Sequence, residues 1–469
     1  MSINWNSIVK AYDVRGLVGV DLTVEVVEAI GAAFVDVIGL AGENVAIGRD
    51  MRPSSPEFSA AFEAGVTARG ANVLSLGLCS TDECYFVSGQ RNVASAMFTA
   101  SHNSSSYNGI KLSRAGARAI SLETGLSDIR DLAARYLEHG FQRVDQPGKV
   151  QSHSSLREYA DFLRQMVDLS NIRPLRIVVD AANAMGGHST PAVLANAVGL
   201  GELPIEIIEL YFDLDGSFPN HDPNPLDANN LIDLQEAVLS HGADLGIAFD
   251  GDADRCFVID ELGQLVSPST IASIVAVREI ERAKSIGEAE PKVLYGHLTS
   301  RQFAQAVLAN GGSVDRTRVG HSFIKTQMAQ TGAVFGAEHS AHYYFRDFWF
   351  ADSGMLAAMH VMKALGSGEQ TMSGLSAGYP SYPNSGEINR VVEDSKALIA
   401  RVESMFAERE ATIEAFDGLT VSSTPTEGDW WWFNLRISNT ESLLRFNAEA
   451  QSQAALHQIM GDVLGVIQS

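Results

Sequence analysis

Leu245-Gly-Ile-Ala-Phe-Asp-Gly-Asp-Ala-Asp-Arg255 joins a short apolar run to three aspartates at alternate positions. An extended segment entering such a turn puts Asp250, Asp252 and Asp254 on one side of the backbone, because side chains alternate along a strand. The small spacers Gly251 and Ala253 let the chain bend and approach a ligand closely. Three carboxylates this near repel one another unless a cation lies between them. An all-oxygen set with room for other ligands suits a hard divalent ion, and magnesium held together with a phosphate is the expectation. A calcium loop is the rival, since Asp250, Asp252, Asp254 and Glu261 have its spacing. Arg255 replaces the glycine that such a loop needs, and Cys256-Phe-Val-Ile259 reads as a strand where further ligands should be. A solvated acidic turn is the bland alternative, and the flanking strands argue against it.

Working outward, the same arrangement recurs. Asn44-Val-Ala-Ile-Gly48, Ala71-Asn-Val-Leu-Ser-Leu76 and Val93–Phe98 read as strands separated by a helix-like Ser55–Arg69, and the last of them runs into Thr99-Ala-Ser-His-Asn103. Leu175-Arg-Ile-Val-Val179 and Pro204–Leu210 precede the strand that ends at Asp250. Lys292-Val-Leu-Tyr295, a strand near Ser313–Arg318 and Ala333-Val-Phe335 precede Glu338-His-Ser-Ala-His342. Strands alternating with helices imply βαβ units and mainly parallel sheets, with ligands outside the carboxyl ends of strands. Beyond about residue 375 a Pro- and Gly-rich stretch opens a different order of two helices and several strands. The expected fold is α/β: three similar domains with mixed or parallel sheets over 1–148, 149–262 and 263–374, and a smaller α+β domain over 375–469, around a central cleft.

Composition narrows the partners. The chain has 469 residues, 45% of them hydrophobic, and a formal net charge of −23. That charge opposes nucleic-acid and anionic-membrane binding, so positive charge for a phosphorylated ligand must be concentrated locally. Three cysteines without a Cys-x-x-Cys pair favour a reducing compartment. No run is long enough to span a bilayer and the first residues have no apolar signal core, so a cytoplasmic protein is expected. Oligomeric state is left open.

Ser101, at the end of an apolar strand, reads either as a turn serine or as a phosphorylated one whose oxygens join the aspartates around one magnesium. Lys111, in Tyr107-Asn-Gly-Ile-Lys111, is a candidate for proton transfer or phosphate contact. His102, His321 and His342 are candidates for acid–base work, since imidazole titrates near neutrality. In Arg436-Ile-Ser-Asn-Thr-Glu-Ser-Leu-Leu-Arg445, the side chains of Ser438, Asn439 and Thr440 and the turn amides suit an anion, with Arg436 and Arg445 as fork-shaped donors. Gly48-Arg-Asp50 adds weaker signals of the same kind.

Taken in order, Tyr12-Asp-Val-Arg-Gly16, Thr99–Asn103, Tyr107–Lys111, Asp250–Arg255, Gly320-His321, Glu338–His342 and Ser438-Asn-Thr-Glu441 resemble the α-D-phosphohexomutase family over essentially the whole chain. Within it, Phe218-Pro-Asn-His-Asp-Pro-Asn-Pro225 and Ala341-His-Tyr-Tyr-Phe-Arg346 look like the bacterial phosphomannomutases, some of which also act on glucose phosphates. The resemblance implies four domains, a phosphorylated Ser101, magnesium on Ser101, Asp250, Asp252 and Asp254, and a hexose 1,6-bisphosphate as activator and intermediate. It also implies a phosphosugar substrate met by Tyr12, Arg15, Gly320, Glu338 and Ser340, with Arg255 and Lys111 stabilising the transferring group. Arg436, Ser438, Asn439, Thr440 and Arg445 would grip the other phosphate. Ser104 and Ser442 stand where many members have proline, and His297 where some carry lysine. A metal-dependent sugar phosphatase, a non-catalytic phosphosugar sensor and a phosphoglucosamine mutase are the competing readings.

Overall fold

The computed structural model describes residues 3–409, 411–423, 428–437 and 443–468. Its first sheet contains β1 (Val14–Leu17), β2 (Asn44–Arg49), β3 (Asn72–Leu78), β4 (Ala94–Phe98), β5 (Tyr107–Arg114), β6 (Arg118–Ala119) and β7 (Val150–Ser152), in the order β1-β5-β4-β2-β3-β7 with β6 on β5. The second is β12-β11-β10-β8-β9, from β8 (Leu175–Asp180), β9 (Ile205–Leu210), β10 (Leu245–Phe249), β11 (Cys256–Asp260) and β12 (Leu265–Val266). The third is β14-β13-β15-β16-β17, from β13 (Lys292–Gly296), β14 (Ser313–Thr317), β15 (Phe335–Ala337), β16 (Tyr343–Phe345) and β17 (Ala351–Asp352).

Superposed by element, these sheets share one plan. A central strand (β2, β8, β13) has parallel neighbours on both sides. One neighbour (β4, β10, β15) then turns back into an antiparallel strand (β5, β11, β16). The parallel expectation therefore holds for four strands of the first sheet (β4, β2, β3 and β7) and three of each of the other two, and stops at the reversal. The connection after β4, β10 and β15 is too short for the crossover that a parallel neighbour requires, so the chain reverses. Each of these three reversals carries one of the polar motifs, at the carboxyl ends of the parallel strands. Strand β7 lies beyond the boundary drawn at residue 148 yet hydrogen-bonds to β3, so the first sheet extends past that point.

One continuous buried apolar cluster runs through all three sheets' neighbourhoods, from Ala46, Tyr85 and Met97 through Leu163, Val178 and Phe249 to Phe335, Phe348 and Met359. Trp349, on the third sheet's side, stacks on Phe162 at 5.3 Å and meets Phe86 edge-on. Within this apolar region Asp82 is fully buried and ties three segments together: it accepts from Tyr159 Oη at 2.7 Å, from Ser353 Oγ at 2.6 Å and from Ser80. Burial pushes its carboxyl up to about 6, against the pull of those three hydroxyls.

The last sheet is antiparallel throughout: β18 (Ile388–Arg390), β19 (Ala411–Glu414), β20 (Leu419–Ser423), β21 (Trp431–Ile437) and β22 (Leu444–Ala450), ordered β18-β22-β21-β20-β19. Helices Ser395–Ala407 and Gln453–Gln468 cover it, and its core of Val402, Phe406, Phe433, Phe446 and Ile459 is separate from the large cluster. Among the described residues no helix is long and apolar enough to cross a membrane.

Candidate active site

The three reversals meet. Ser101 Oγ donates to Asp250 Oδ2 at 2.7 Å, and Arg255 Nη2 reaches the same hydroxyl at 3.2 Å while its Nε bonds Asp250 Oδ2 at 2.8 Å. Ser101 is 5% exposed and has a left-handed φ of 49°. Its amide donates to Thr99 Oγ1, and its carbonyl lies where a Cβ on residue 251 would come within 2.3 Å. Only glycine permits that approach between the serine loop and the aspartate turn.

Asp250, Asp252 and Asp254 each bring a carboxylate oxygen within 4.8 Å of the others, all buried. Lys111 Nζ bridges Asp252 Oδ2 and Asp254 Oδ2 at 2.5 and 2.6 Å, and Thr81 Oγ1 donates to Asp252 Oδ2 at 2.6 Å. Asp252 Oδ1 and Asp254 Oδ1 are buried without a hydrogen-bond donor among the described residues. Burial raises Asp250, with Arg255 opposing, and burial together with the Asp252 charge drives Asp254 well above the usual carboxylate range. For Asp252 burial acts in the same direction, but Lys111 and Thr81 outweigh it and hold the group ionised. Burial would lower Lys111 too, yet Asp252 and Asp254 keep its ammonium well above its ordinary range. The trio is thus unable to ionise fully on its own, and two of its oxygens await a cation. The chemistry of the set fits magnesium.

The third motif is joined to the second by backbone: Arg255 and His342 form an antiparallel bridge, and Cys256 N donates to Ala341 O. Glu338 Oε1 accepts from the Gly320 amide at 2.8 Å and Oε2 from Tyr344 Oη at 2.6 Å. Burial raises the Glu338 carboxyl; those donors oppose it, as does the charge of Arg436 from the fourth sheet. Ser340 Oγ lies 2.9 Å from His342 Nδ1, and His342 Nε2 is 3.6 Å from Asp254 Oδ1. His102 Nδ1 is held by Arg255. His321 opens the helix His321–Thr331 with its ring 4.4 Å from that of Tyr12, edge-on, and both its ring nitrogens are buried without a partner among the described residues. Burial holds all three imidazoles neutral, His342 down to about 3 and the other two well below their ordinary value, with Arg255 adding to the effect at His102 and His342 and Lys325 at His321. Burial pushes Tyr12 up to about 12. Arg15 donates to Asn103 Oδ1 at 2.6 Å and to Asp13 at 2.7 Å, so it braces the serine loop.

Arg436 and Arg445 are directly opposed across β21 and β22. Two like charges in that register repel, and Glu387 sits between them, 3.3 and 3.1 Å away. Ser438, Asn439, Thr440 and Ser442 lie outside the described residues. Ser104 closes its turn without proline, through Tyr107 N to Ser104 O at 3.1 Å. His297 packs on Phe416 and Trp432 and bonds Thr420, joining the third and fourth sheets.

Several site residues escaped the sequence reading. Thr81, Glu387 and Arg52 carried no motif. Lys325, paired with Asp352 at 2.6 Å and 3.8 Å over the Tyr85 ring, was one more lysine on a helix. The GHxxxK spacing from His321 is the signal that was there to find.

Comparison with known proteins returns one family. Four models of phosphoglucomutase/phosphomannomutase domains match in order: alpha/beta/alpha domain I over residues 6–138, domain II over 157–263, domain III over 268–382 and the C-terminal domain over 387–466. A phosphomannomutase of Salmonella typhimurium is 38% identical over 456 residues, covering 95% of each chain. A phosphohexose mutase of Xanthomonas campestris is 37% identical over 450 residues, covering 95% of this chain and 96% of that one. A crystal structure of a phosphoglucomutase/phosphomannomutase family protein from Burkholderia thailandensis is 28% identical, with a TM-score of 0.85 over 99% of this chain and 98% of that one.

Proposed function

Because this chain belongs to the phosphoglucomutase/phosphomannomutase family it is a hexose phosphate mutase, and we propose that Ser101 is the group through which the phosphoryl passes. Mannose 1- and 6-phosphates are the proposed principal substrates, in keeping with the relatives named phosphomannomutase. The observation that carries the reading is the convergence on one hydroxyl: Ser101 Oγ lies between Asp250 of a cation-ready carboxylate trio and the Arg255 guanidinium.

Asp250, Asp252 and Asp254, with an oxygen of phosphorylated Ser101, would hold magnesium, and the two unpartnered aspartate oxygens support this. Bound there, the ion neutralises charge on the transferring phosphoryl group. In the forward step the Oγ–P bond of phosphoserine breaks as a bond forms from phosphorus to the free sugar hydroxyl, O1 or O6. That hydroxyl's proton passes to a neutral base. His321 is favoured for the task, since its ring nitrogens are unengaged while His342 and His102 are already hydrogen-bonded. Arg255 stays on the serine oxygen and steadies its developing charge. Lys111 remains protonated and contributes charge. The hexose 1,6-bisphosphate then turns over and returns its other phosphate to Ser101.

Glu338 and Ser340 would orient the sugar, with Tyr12, Arg15 and Gly320 lining the same wall. Arg436 and Arg445 would receive the phosphate that is not being transferred, exchanging Glu387 for it, with Ser438, Asn439 and Thr440 completing the grip. A first unit that reaches past residue 148 to include β7, further divisions at 262 and 374, a cytoplasmic location and activation by a hexose bisphosphate belong to the same proposal.

The test is chemical. Dephosphorylated protein should gain one phosphate on Ser101 when given glucose 1,6-bisphosphate, located by peptide mapping, and gain mutase activity with it. Ser101→Ala should bind substrate and stay nearly inactive with the bisphosphate present. Full turnover by Ser101→Ala, or release of inorganic phosphate in place of isomerisation, would overturn the reading. Turnover on mannose, glucose and glucosamine phosphates ranks the sugars.

A further inference from the structure

Among the described residues Arg52 is the largest fully buried side chain, 1% exposed. A guanidinium has five N–H donors in a rigid fork, and every one of these is engaged. Nη1 donates to the carbonyls of Ser104 at 2.7 Å and Tyr107 at 3.0 Å. Nη2 donates to the carbonyls of Ser101 at 2.9 Å and Asn103 at 2.7 Å. Nε donates to Asp50 Oδ2 at 3.2 Å, and Asp50 is itself held by Ser55 Oγ and by the Arg52 amide. Four of five acceptors are therefore main-chain oxygens of the loop that carries the transfer serine.

Burying a guanidinium costs several kcal/mol unless it is paired and fully hydrogen-bonded. An apolar side chain would fill the same space without that cost, so volume alone does not account for Arg52. The second sheet's domain closes the site from outside. The Phe218 ring lies 5.1 Å from the guanidinium carbon, and a Cβ at residue 216 would come within 2.6 Å of Arg52 Cα. The Ser101 carbonyl is thereby fixed on one side by Arg52 and on the other by the Gly251 turn. With its carbonyl so held and φ at 49°, the residue presents Oγ to Asp250 and Arg255.

We propose that Arg52 is a positioning residue for phosphoryl transfer: it holds the serine loop in the one shape that aims Ser101 Oγ at the reacting phosphorus, and touches neither sugar nor metal. The inference rests on the reading of Ser101 as the transfer group. It places the effect of Arg52 chiefly in the transfer step, because Glu338, Ser340, Arg436 and Arg445 lie on other elements and Arg15 meets the serine loop through the Asn103 side chain, not through the carbonyls that Arg52 holds.

The test compares dephosphorylated wild type, Arg52→Lys and Arg52→Ala, mixed with glucose 1,6-bisphosphate and magnesium, with Ser101 phosphorylation followed by quenched-flow mass measurement. Lysine keeps the charge and most of the volume but cannot serve four diverging carbonyls. Arg52→Lys should phosphorylate about 100-fold more slowly, the scale on which a small misplacement of a reacting group acts. Its kcat on mannose 1-phosphate should fall in parallel while KM stays within about threefold, the signature of a loss confined to the transition state. Millimolar guanidinium should restore part of the rate to Arg52→Ala, and sodium at equal ionic strength should not. Wild-type phosphorylation by Arg52→Lys, or a rise in KM with kcat unchanged, would overturn the inference. If wild type itself takes no phosphate on Ser101, the phosphoserine reading fails instead. Should Arg52→Ala not fold, Arg52→Lys decides alone. Should neither fold, Asp50→Asn, which removes the charge that fixes Arg52 Nε, should slow the same step several-fold, and an unaltered rate there counts against the proposal.

Discussion

The first three sheets and the fourth are held to their surroundings by different means. The first three are joined by one apolar cluster, with Trp349 wedged against Phe86 and Phe162 and Asp82 bonded to Tyr159 and Ser353, while the first sheet also packs Val45, Phe98 and Leu112 into a second core of its own. The fourth has its own core, shares no apolar cluster with the third, and meets it through polar and ring contacts. Ser300 Oγ and Arg301 N bond Glu449, Val319 N bonds Asp417 Oδ2, Arg316 pairs with Glu414, and His297 meets Thr420. Apolar burial is non-directional and tolerates no gap, whereas a polar contact depends on the geometry of a few donors and acceptors and is lost when they separate. The serine loop, the carboxylate trio and the Glu338–His342 motif are thus fixed relative to one another, and the double-arginine strand pair is joined to them by a smaller set of directional contacts. The turning of the bisphosphate proposed above calls for both properties.

The contrast breaks most sharply at its rigid centre. Asp252→Asn removes a charge from the carboxylate trio and the partner of both Lys111 and Thr81. Turnover should fall about a thousandfold, the equivalent of roughly 4 kcal/mol of transition-state stabilisation. Near-normal activity at limiting magnesium would take these aspartates out of the chemistry.

Next in size is the aromatic wedge. Trp349→Ala should cost about 3 kcal/mol of stability, as large-to-small changes at packed sites do. In urea the loss should appear in the transition that reports the first three sheets, and a loss confined to the fourth would contradict the shared core. A smaller effect is expected at the clamp. Arg445→Ala removes a charge-assisted phosphate contact worth about 2 kcal/mol, so KM should rise about 30-fold. Phosphorylation of Ser101 by bisphosphate should change less, and equal loss in both assays would argue against a separate clamp.

The smallest effect is a pH effect at the joint. Burial, with the Arg316 charge, depresses the His297 imidazole to about 4 in the folded chain, below its unfolded value near 6.5. The unfolded state therefore binds the extra proton between those values. The stability that His297 contributes is complete above about pH 6.5 and is lost as pH falls toward 4. By pH 5.5 the loss is about 1 kcal/mol. Amide exchange in β20 should accelerate relative to β10 between pH 7 and 5.5, and equal acceleration of both strands would remove His297 from the joint.

Much of this was legible in the chain itself. Alternating apolar runs and helical stretches gave three similar α/β units, and Asp250, Asp252 and Asp254 announced their chemistry because alternate residues share a side of any strand. Ser101 stands in a short polar run at a strand's end, Lys111 lies a few residues on from it, and Glu338 is legible through the family's ordered motifs. What the tertiary structure alone decided has one cause: the partner is distant in the chain or has no side-chain identity. Arg52 acts on main-chain carbonyls, which every residue type offers, so nothing in Gly48-Arg-Asp-Met-Arg52 names its target. Thr81 finds Asp252, and His297 finds Thr420, more than a hundred residues away. Glu387 matters only because β21 and β22 set two arginines face to face. Local spacing determines which groups a turn presents; packing between sheets determines which of them meet.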